Sequence, residues 1–304
     1  MKQQKQTFTL AGFLITLTGA ILFSTKAIIV KKAFEHTQVD ALSLLTLRMV
    51  FALPFYLLAA YAISRQTLDV KLTRRQWGIT LLMGILGYYL SSLFDFIGLQ
   101  YISAGLERLI LFLYPTFALL INRWFYKQTI TRNQKLALLF TYSGIAIAFI
   151  GELQLDHTNT NFYLGSFLVF LCAVTYSMYI VGSGKVIPEI GAAKFTAYAM
   201  LASTAGILLH FLIRGDYSLL SGGPSLWWYG LLIAIVATVV PSFLLSDGLK
   251  RIGTNNVAVI SSIGPVSTIL QAHYFLREPI TLAQLAGTAL VIVGICLLGW
   301  RRRG

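Results

Sequence analysis

Long apolar runs separated by short polar segments dominate the chain. Ten of these runs approach the roughly 20 residues that a helix needs to cross the hydrocarbon core of a bilayer. Repeated runs of this length argue against a transmembrane β-barrel, whose strands alternate over about 10 residues. The pattern therefore predicts an all-α membrane protein with ten transmembrane helices. The runs cover residues 9–30, 41–63, 77–99, 102–122, 134–151, 163–181, 194–213, 226–246, 254–275 and 282–300.

The composition agrees with an exterior that faces lipid. Of the 304 residues, 57% are hydrophobic and 12% are charged, whereas a soluble domain is about 45–50% apolar and about 25% charged. Such a composition argues against a soluble enzyme and against a disordered chain. A net charge of +13 would suggest a nucleic-acid partner in a soluble protein. Here we expect no nucleic-acid partner, because basic residues of membrane proteins collect in cytoplasmic loops.

Lysine and arginine residues divide unequally between the two sets of loops. If the N-terminus is cytoplasmic, the cytoplasmic segments carry 17 of the 24 basic residues and the outer loops carry 4. This asymmetry predicts that both termini are cytoplasmic. The short loops and compact termini suggest a bacterial protein of the inner (plasma) membrane.

The second half of the chain repeats part of the first half. Residues 77–150 align without gaps with residues 227–300, and 17 of the 74 aligned positions are identical. We therefore expect two five-helix repeats, residues 1–151 and 152–304. The identities that shared apolar bias does not readily explain include Trp77/Trp227, Pro115/Pro265, Gln134/Gln284 and Gly144/Gly294, and a shift of 153 also pairs Gly12, Ala20 and Ser24 with Gly165, Ala173 and Ser177.

Because each half holds an odd number of spans, the two halves enter the bilayer from opposite sides. Inverted repeats of this kind are typical of secondary transporters, which bind substrate between the halves and expose the site to each side in turn. The alternative interpretation is a duplicated membrane scaffold or a channel without carrier activity.

Several segments resemble the drug/metabolite transporter superfamily, and its EamA-type branch in particular. Residues 275–281, Phe-Leu-Arg-Glu-Pro-Ile-Thr, are similar to that family's Leu-Gly-Glu-Pro-Leu-Thr turn before the last helix, with Arg277 where glycine is usual. Residues 23–31, Phe-Ser-Thr-Lys-Ala-Ile-Ile-Val-Lys, resemble the end of the first helix, with Lys26 replacing a neutral polar residue. Further matches are an arginine on the second helix and mid-helix prolines on helices four and nine, here Arg48, Pro115 and Pro265.

The resemblance covers nearly the whole chain and implies a ten-helix permease. Members of this family export or exchange small metabolites, often amino acids or drug-like compounds. The resemblance implies a central cavity lined mainly by helices 1, 3, 4, 6, 8 and 9, and it does not name a substrate.

Five ionisable residues lie at membrane depth, and all of them belong to the first half: Lys26, Arg48, Asp95, Glu107 and Arg108. With a rise of about 1.5 Å per residue, each lies about 6–10 Å from the predicted outer end of its helix. Charged groups at this depth are costly unless they are paired or hydrated, so they are candidates for function. Their formal sum of +1 would suit a carboxylate or phosphate on the substrate.

Two interpretations of these charges remain open. In the first, Lys26, Asp95, Glu107 and Arg108 bind the substrate, and Glu107 or Asp95 carries a coupled proton. In the second, an ion network holds helices 1–4 together, with Glu107 paired to Arg48 and Asp95 paired to Lys26. Arg48 lies on helix 2 and is therefore expected to be structural. The positions equivalent to Lys26, Asp95, Glu107 and Arg108 in the second half are uncharged: Tyr179, Leu245, Val257 and Ala258.

Polar side chains at membrane depth complete the candidate binding site: Tyr88, Tyr114, Tyr176, Tyr179, Ser261 and Ser262. A buried tyrosine needs a partner for its hydroxyl group, and a proline within a helix frees a backbone carbonyl group. Pro115 and Pro265 would place such polar spots beside Tyr114 and the two serines. These residues either line a cavity or only bridge neighbouring helices.

Other chemistry finds less support in the sequence. It shows no P-loop, dinucleotide fingerprint, nucleophile elbow or metal-ligand spacing, so we expect no cofactor, no metal and no enzymatic activity. A lipid-modifying enzyme would need His, Asp or Glu clustered at an interface with catalytic spacing. The expected partners are a small-molecule substrate, the lipid bilayer, and a proton or counter-substrate. The sequence does not specify an oligomeric state, and a monomer would suffice.

Overall fold

A computed structural model describes residues 9–65, 72–127, 132–155, 159–217, 223–261 and 263–299. Throughout these ranges the regular structure is helical, which confirms the predicted all-α fold. The helices are α1 (Leu10–Thr37), α2 (Ala41–Ser64), α3 (Arg74–Gly84), α4 (Ser91–Gly98), α5 (Ala104–Leu111), α6 (Tyr114–Tyr126), α7 (Arg132–Leu155), α8 (Phe162–Ile190), α9 (Ala192–Arg214), α10 (Pro224–Ala234), α11 (Val240–Ser261), α12 (Gly264–Gln271) and α13 (Leu282–Gly299).

Eight helical stretches in the described ranges are long and apolar enough to span a membrane, and Leu282–Gly294 is a shorter apolar helix. The predicted run 254–275 forms the end of α11, then α12 and a short π-helical segment, Ala272–Leu276. The structure is therefore compatible with the predicted ten spans. The chain is a multi-pass membrane protein.

Side-chain caps set the start of several helices. Asp40 accepts hydrogen bonds from the backbone N–H groups of Leu42 and Ser43 at the start of α2. Ser103 accepts one from Leu106 N at the start of α5. Caps of this kind satisfy N–H groups that have no partner within the helix.

Two spans change their helical pitch at equivalent positions. A π-helical segment, Ile85–Leu90, joins α3 to α4, and another, Ile235–Val239, joins α10 to α11. The two segments are 150 residues apart, which is the shift of the sequence repeat. A π-turn leaves main-chain groups outside the regular α-helical ladder and is frequent at functional sites. The hydroxyl group of Thr238 in the second segment donates to the carbonyl oxygen of Ile233.

The contacts between spans also recur with the two halves exchanged. Helix α1 packs against α11, and α8, the repeat equivalent of α1, packs along α4 and the turn that follows it. In each pairing, residue numbers rise along one helix while they fall along the other, so the helices run antiparallel. The equivalent close contacts are Gly12 with Ile252 and Gly165 with Ile102, then Thr16 with Gly248 and Val169 with Gly98.

The fifth and last spans form a close antiparallel pair across the repeat boundary. A Cβ atom on Gly144 of α7 would overlap the carbonyl oxygen of Gly287 on α13, and one on Gly294 would crowd that of Ala137. Gly294 is the repeat equivalent of Gly144, and Ala137 is that of Gly287, each at a shift of 150 residues. The two contacts are therefore the same contact with the halves exchanged. Equivalent helices that meet antiparallel are what two inverted repeats produce. The division at residues 151 and 152 itself stays a prediction.

Replacement of Gly144 by alanine is expected to destabilise the α7–α13 pair by about 1–3 kcal/mol, because the added methyl group overlaps a main-chain oxygen. A methyl group on Gly78 of α3 would meet no atom within 4 Å, so Gly78→Ala should be neutral or stabilising. Thermal unfolding of the purified variants in detergent measures both effects. Equal behaviour of the two variants would contradict the close packing.

The backbone conformation of Arg277 explains why the related family usually has glycine at this position of the turn before the last helix. Arg277 adopts a left-handed conformation with φ 59°, and Lys127, 150 residues earlier, adopts the same conformation with φ 52°. Residues with a Cβ atom are disfavoured there, whereas glycine is not. The two left-handed caps are a further trace of the repeat.

Arg277→Gly is expected to raise the stability of the protein by about 0.5–1 kcal/mol, because glycine relieves this backbone strain. Arg251, an exposed residue inside α11, provides the matched control, since Arg251→Gly should lower stability by about 1 kcal/mol. Thermal unfolding again provides the measurement. A loss of stability in both variants would show that the cap at Arg277 is not strained.

Candidate functional site

Three of the predicted site residues form a buried ion cluster. The Lys26 Nζ atom lies 2.6 Å from Asp95 Oδ2 and 4.0 Å from Glu107 Oε1. Lys26 is 7% exposed, and both acidic residues are 0% exposed. The two carboxyl groups are also neighbours, close enough for a hydrogen bond when one holds a proton. The expected pairing of Asp95 with Lys26 is confirmed by this geometry.

The expected pairing of Glu107 with Arg48 was wrong. Arg48 donates from Nε to the Thr238 hydroxyl group at 2.9 Å and from Nη1 to the Ser92 hydroxyl group at 3.1 Å. Its guanidinium group also lies 5.7 Å from the centre of the Phe96 ring. The physical reason is the direction of the side chains: Glu107 points toward α1 and α4, while Arg48 bridges α4 and the π-turn after α10. Arg48 therefore connects the two halves through hydroxyl groups.

Arg108 points to the second half of the chain. It is 3% exposed, and its Nε atom donates to the Thr268 hydroxyl group on α12 at 3.0 Å. A longer bond of 3.4 Å connects Nη2 to the carbonyl oxygen of Phe23. The Phe23 ring lies beneath both cations, 5.9 Å from Lys26 Nζ and 5.8 Å from the Arg108 guanidinium carbon. We call Lys26, Asp95, Glu107 and Arg108 the central cluster.

The four predicted tyrosines form one aromatic group, the tyrosine cluster. The hydroxyl groups of Tyr88 and Tyr179 are 2.8 Å apart, and the rings of Tyr176 and Tyr179 stack with their centres 5.5 Å apart. The ring of Tyr114 meets Tyr176 edge to face at 5.1 Å. Arg108 lies within electrostatic range of Tyr114 and Tyr176, so this cluster adjoins the central cluster.

The predicted serines contribute less to this picture. Ser261 is half-buried at the end of α11, and Ser262 lies outside the described residues. Sequence reasoning missed Ser24, whose hydroxyl group donates to the Gly264 carbonyl oxygen at 3.4 Å, and Thr268. A weak signal for both existed, because Ser24 stands two residues before Lys26 and Thr268 follows Pro265 within one turn.

A second polar group lies at one end of the bundle, and we call it the capping network: Lys31, Ser103, Glu152 and Glu278. Glu152 accepts hydrogen bonds from the backbone and hydroxyl groups of Ser103, and Glu278 accepts one from Ala104 N at 3.1 Å. Lys31 donates to the Ile102 carbonyl oxygen at 2.8 Å and lies 4.0 Å from Glu278. The network borders a cavity of about 340 Å³.

Helix α5 joins the capping network to the central cluster. Its first turn receives the two carboxylates of the network, which suits the partial positive charge of a helix N-terminus. All eight of its residues are buried, among them Glu107 and Arg108. The helix ends before Phe112 and Leu113, and α6 then begins with Tyr114 and Pro115. A displacement of this short helix would therefore move both polar groups together.

Asp95→Asn is expected to destabilise the protein by about 3–5 kcal/mol, because it leaves the buried Lys26 ammonium group without its nearest partner. The double variant Lys26→Met with Asp95→Asn should lose less stability than the sum of the two single variants, because it removes both charges. A double-mutant cycle on thermal unfolding in detergent measures this coupling. Additive losses would contradict the ion pair.

The comparisons with known proteins agree with this architecture. The sequence model of the EamA-like transporter family matches residues 10–150 and 163–300. The protein named "Uncharacterized transporter YcbK" of Bacillus subtilis (strain 168) is 31% identical over 312 residues, covering 99% of this chain and 96% of the relative. Another relative, "Uncharacterized transporter YetK" of the same organism, is 21% identical and covers 93% of this chain and 86% of its own length.

A solved crystal structure of a protein with 18% sequence identity superimposes with a TM-score of 0.67, covering 96% of this chain and 98% of that chain. At this identity the likeness shows the fold alone. The family match spans both halves of the sequence and coincides with the repeat seen in the helices. The chain belongs to the EamA-like transporter family.

Proposed function

We propose that the protein is a secondary transporter that moves a small organic solute, amino-acid-like or of another class, across the membrane by alternating access. It acts as an exporter or an exchanger. The observation that carries the proposal is a buried cluster of charged and aromatic side chains at the interface of two inverted repeats. Inverted-repeat transporters hold their substrates at this interface.

Both halves contribute to the proposed binding site. Lys26, Asp95 and Glu107 come from the first half, and Thr268, which accepts from Arg108, comes from the second. The tyrosine cluster repeats this division, with Tyr88 and Tyr114 from one half and Tyr176 and Tyr179 from the other. Rotation of one half against the other would change the contacts of a substrate bound between these groups.

The capping network supports alternating access because it ties four parts of the chain at one end of the bundle. Lys31 ends the first span, Ser103 starts the fourth, Glu152 ends the fifth and Glu278 precedes the last. Opening this end requires the carboxylates to leave the N-terminus of α5. With both termini cytoplasmic in a bacterial plasma membrane, as the basic residues favour, this closed end faces outward.

Glu107 is the first candidate for a coupled proton, and Asp95 is the second. Asp95 Oδ2 lies 2.6 Å from the Lys26 ammonium nitrogen, whereas Glu107 Oε1 lies 4.0 Å from it. A proton on Glu107 therefore leaves the shorter ion pair intact. Neutralising one carboxylate also removes repulsion between two adjacent anions.

The two alternatives are a channel or non-transporting scaffold and a lipid-modifying membrane enzyme. A channel conducts without saturation, whereas a transporter saturates and shows counterflow. Counterflow of labelled amino acids, nucleobases and sugar phosphates in proteoliposomes separates these cases. Absence of counterflow and of saturable uptake for every class would contradict the proposal.

Glu107→Gln is expected to abolish the pH dependence of counterflow while the protein remains folded, because glutamine cannot exchange a proton. Glu189→Gln provides the matched control, since Glu189 is exposed near the end of α8 and its carboxylate accepts from Gln76 of α3. The control variant should keep the wild-type pH profile. An unchanged profile in Glu107→Gln would remove this residue from proton coupling and turn attention to Asp95.

A further inference from the structure

The cations of the buried site differ in the groups that they contact directly. Lys26 has two carboxylates within 4.0 Å. Among the described residues, Arg108 instead has a hydroxyl group and a carbonyl oxygen as its hydrogen-bond partners. Neither partner carries a formal charge. Asp95 and Glu107 also lie within electrostatic range of Arg108, but in the described residues their ion pairs are with Lys26. Ionisable groups at membrane depth commonly mark a substrate pathway.

Arg108 also has donors to spare. A guanidinium group carries five N–H bonds in a planar fork, and the described contacts use one at 3.0 Å and another at the long distance of 3.4 Å. The residue is 3% exposed, so bulk water does not surround it. Its fork lies between the first helix, the tyrosine cluster and α12, where both halves of the protein meet.

We propose that Arg108 binds an oxyanion of the substrate, so that the transported solutes are small organic acids. This inference rests on the proposed function and assigns its substrate class. The planar fork of arginine matches the two oxygens of a carboxylate, and also those of a phosphate group. Thr268 holds the Nε side of the fork and bridges at 3.5 Å to the Ser24 carbonyl oxygen.

The same geometry disfavours a purely cationic substrate. The Lys26 ammonium group already occupies the position between Asp95 and Glu107 where a substrate amine would bind. An incoming amine would have to displace this tethered group from a contact of 2.6 Å. In the described residues the direct partners of Arg108 are a hydroxyl group and a carbonyl oxygen, so an incoming oxyanion displaces no carboxylate from a direct contact. Asp95 and Glu107 remain within electrostatic range of this group.

In the part of the chain that the structure describes, Arg48 is the other buried arginine with neutral hydrogen-bond partners, and its surroundings differ. Its Nε and Nη1 atoms donate at 2.9 and 3.1 Å to hydroxyl groups on two different spans. It lies beside the packed aliphatic residues of α2, while Arg108 adjoins Lys26 over the shared Phe23 ring. The geometry therefore favours a bridging role for Arg48 and a binding role for Arg108.

Matched pairs of acids and amides test the inference in the purified protein. The pairs acetate/acetamide, benzoate/benzamide and nicotinate/nicotinamide differ in charge and little in shape. Inorganic phosphate tests the other oxyanion source, and benzylammonium tests a cationic ligand. At least one acid or phosphate should raise the unfolding temperature saturably, while the amides and benzylammonium should not.

Arg108→Gln should weaken the effective acid by roughly tenfold to hundredfold, which corresponds to the loss of a charged hydrogen bond. Arg108→Lys keeps the charge without the fork, so it should retain the preference for acid over amide at reduced affinity. Arg108→Lys also tests the inference if Arg108→Gln fails to fold. Arg251→Gln removes one exposed arginine, paired at the surface with Asp247, and should bind as the wild type does.

Three results would overturn the inference. They are equal stabilisation by an acid and its amide, wild-type acid affinity in the Arg108 variants, and no stabilisation by any oxyanion of the panel. Counterflow separates this failure from that of the proposed function. Saturable counterflow of an amine or an uncharged solute would leave a transporter without an oxyanion site, whereas acid binding through Arg108 without counterflow would leave the site without transport.

Discussion

A charged side chain at membrane depth must find its partners within the protein, because lipid supplies neither water nor counter-ions. This constraint explains why the Lys26 ammonium group lies within 4.0 Å of both Asp95 and Glu107. It also explains why Arg48 and Arg108 reach across to hydroxyl groups of the second half. The charges thus connect the two halves of the chain at membrane depth.

The two halves are alike in backbone and different in chemistry. Close contacts, π-turns and left-handed caps recur at shifts of 150 or 153 residues. The buried ionisable groups do not recur, since the position equivalent to Lys26 holds Tyr179, whose hydroxyl group bonds Tyr88. The central cluster thus takes its charges from the first half, whereas Thr268, Tyr176 and Tyr179 beside it come from the second.

The sequence was sufficient to predict the apolar spans and the repeat, because apolar length and spaced identities are visible in one dimension. The Lys26–Asp95 pair belonged to one of two interpretations that the sequence left open. The sequence was not sufficient for side-chain direction. Successive side chains on a helix differ in direction by about 100°. A small error in the assumed rotation of α5 about its axis therefore decides whether Glu107 is expected to meet Arg48 or Lys26. The capping network depends on loop geometry, although Glu278 already stood in the turn that suggested the family.

The carboxylates at the N-terminus of α5 have a consequence for the alternating access that we propose. At a shift of 150, the sequence places Gln128 where Glu278 stands and Arg302 where Glu152 stands. The opposite end of the bundle therefore cannot close through the same pair of anions. If the proposed transporter closes that end in turn, it must do so through other groups, so salt and acidity would act unequally on its two closed conformations.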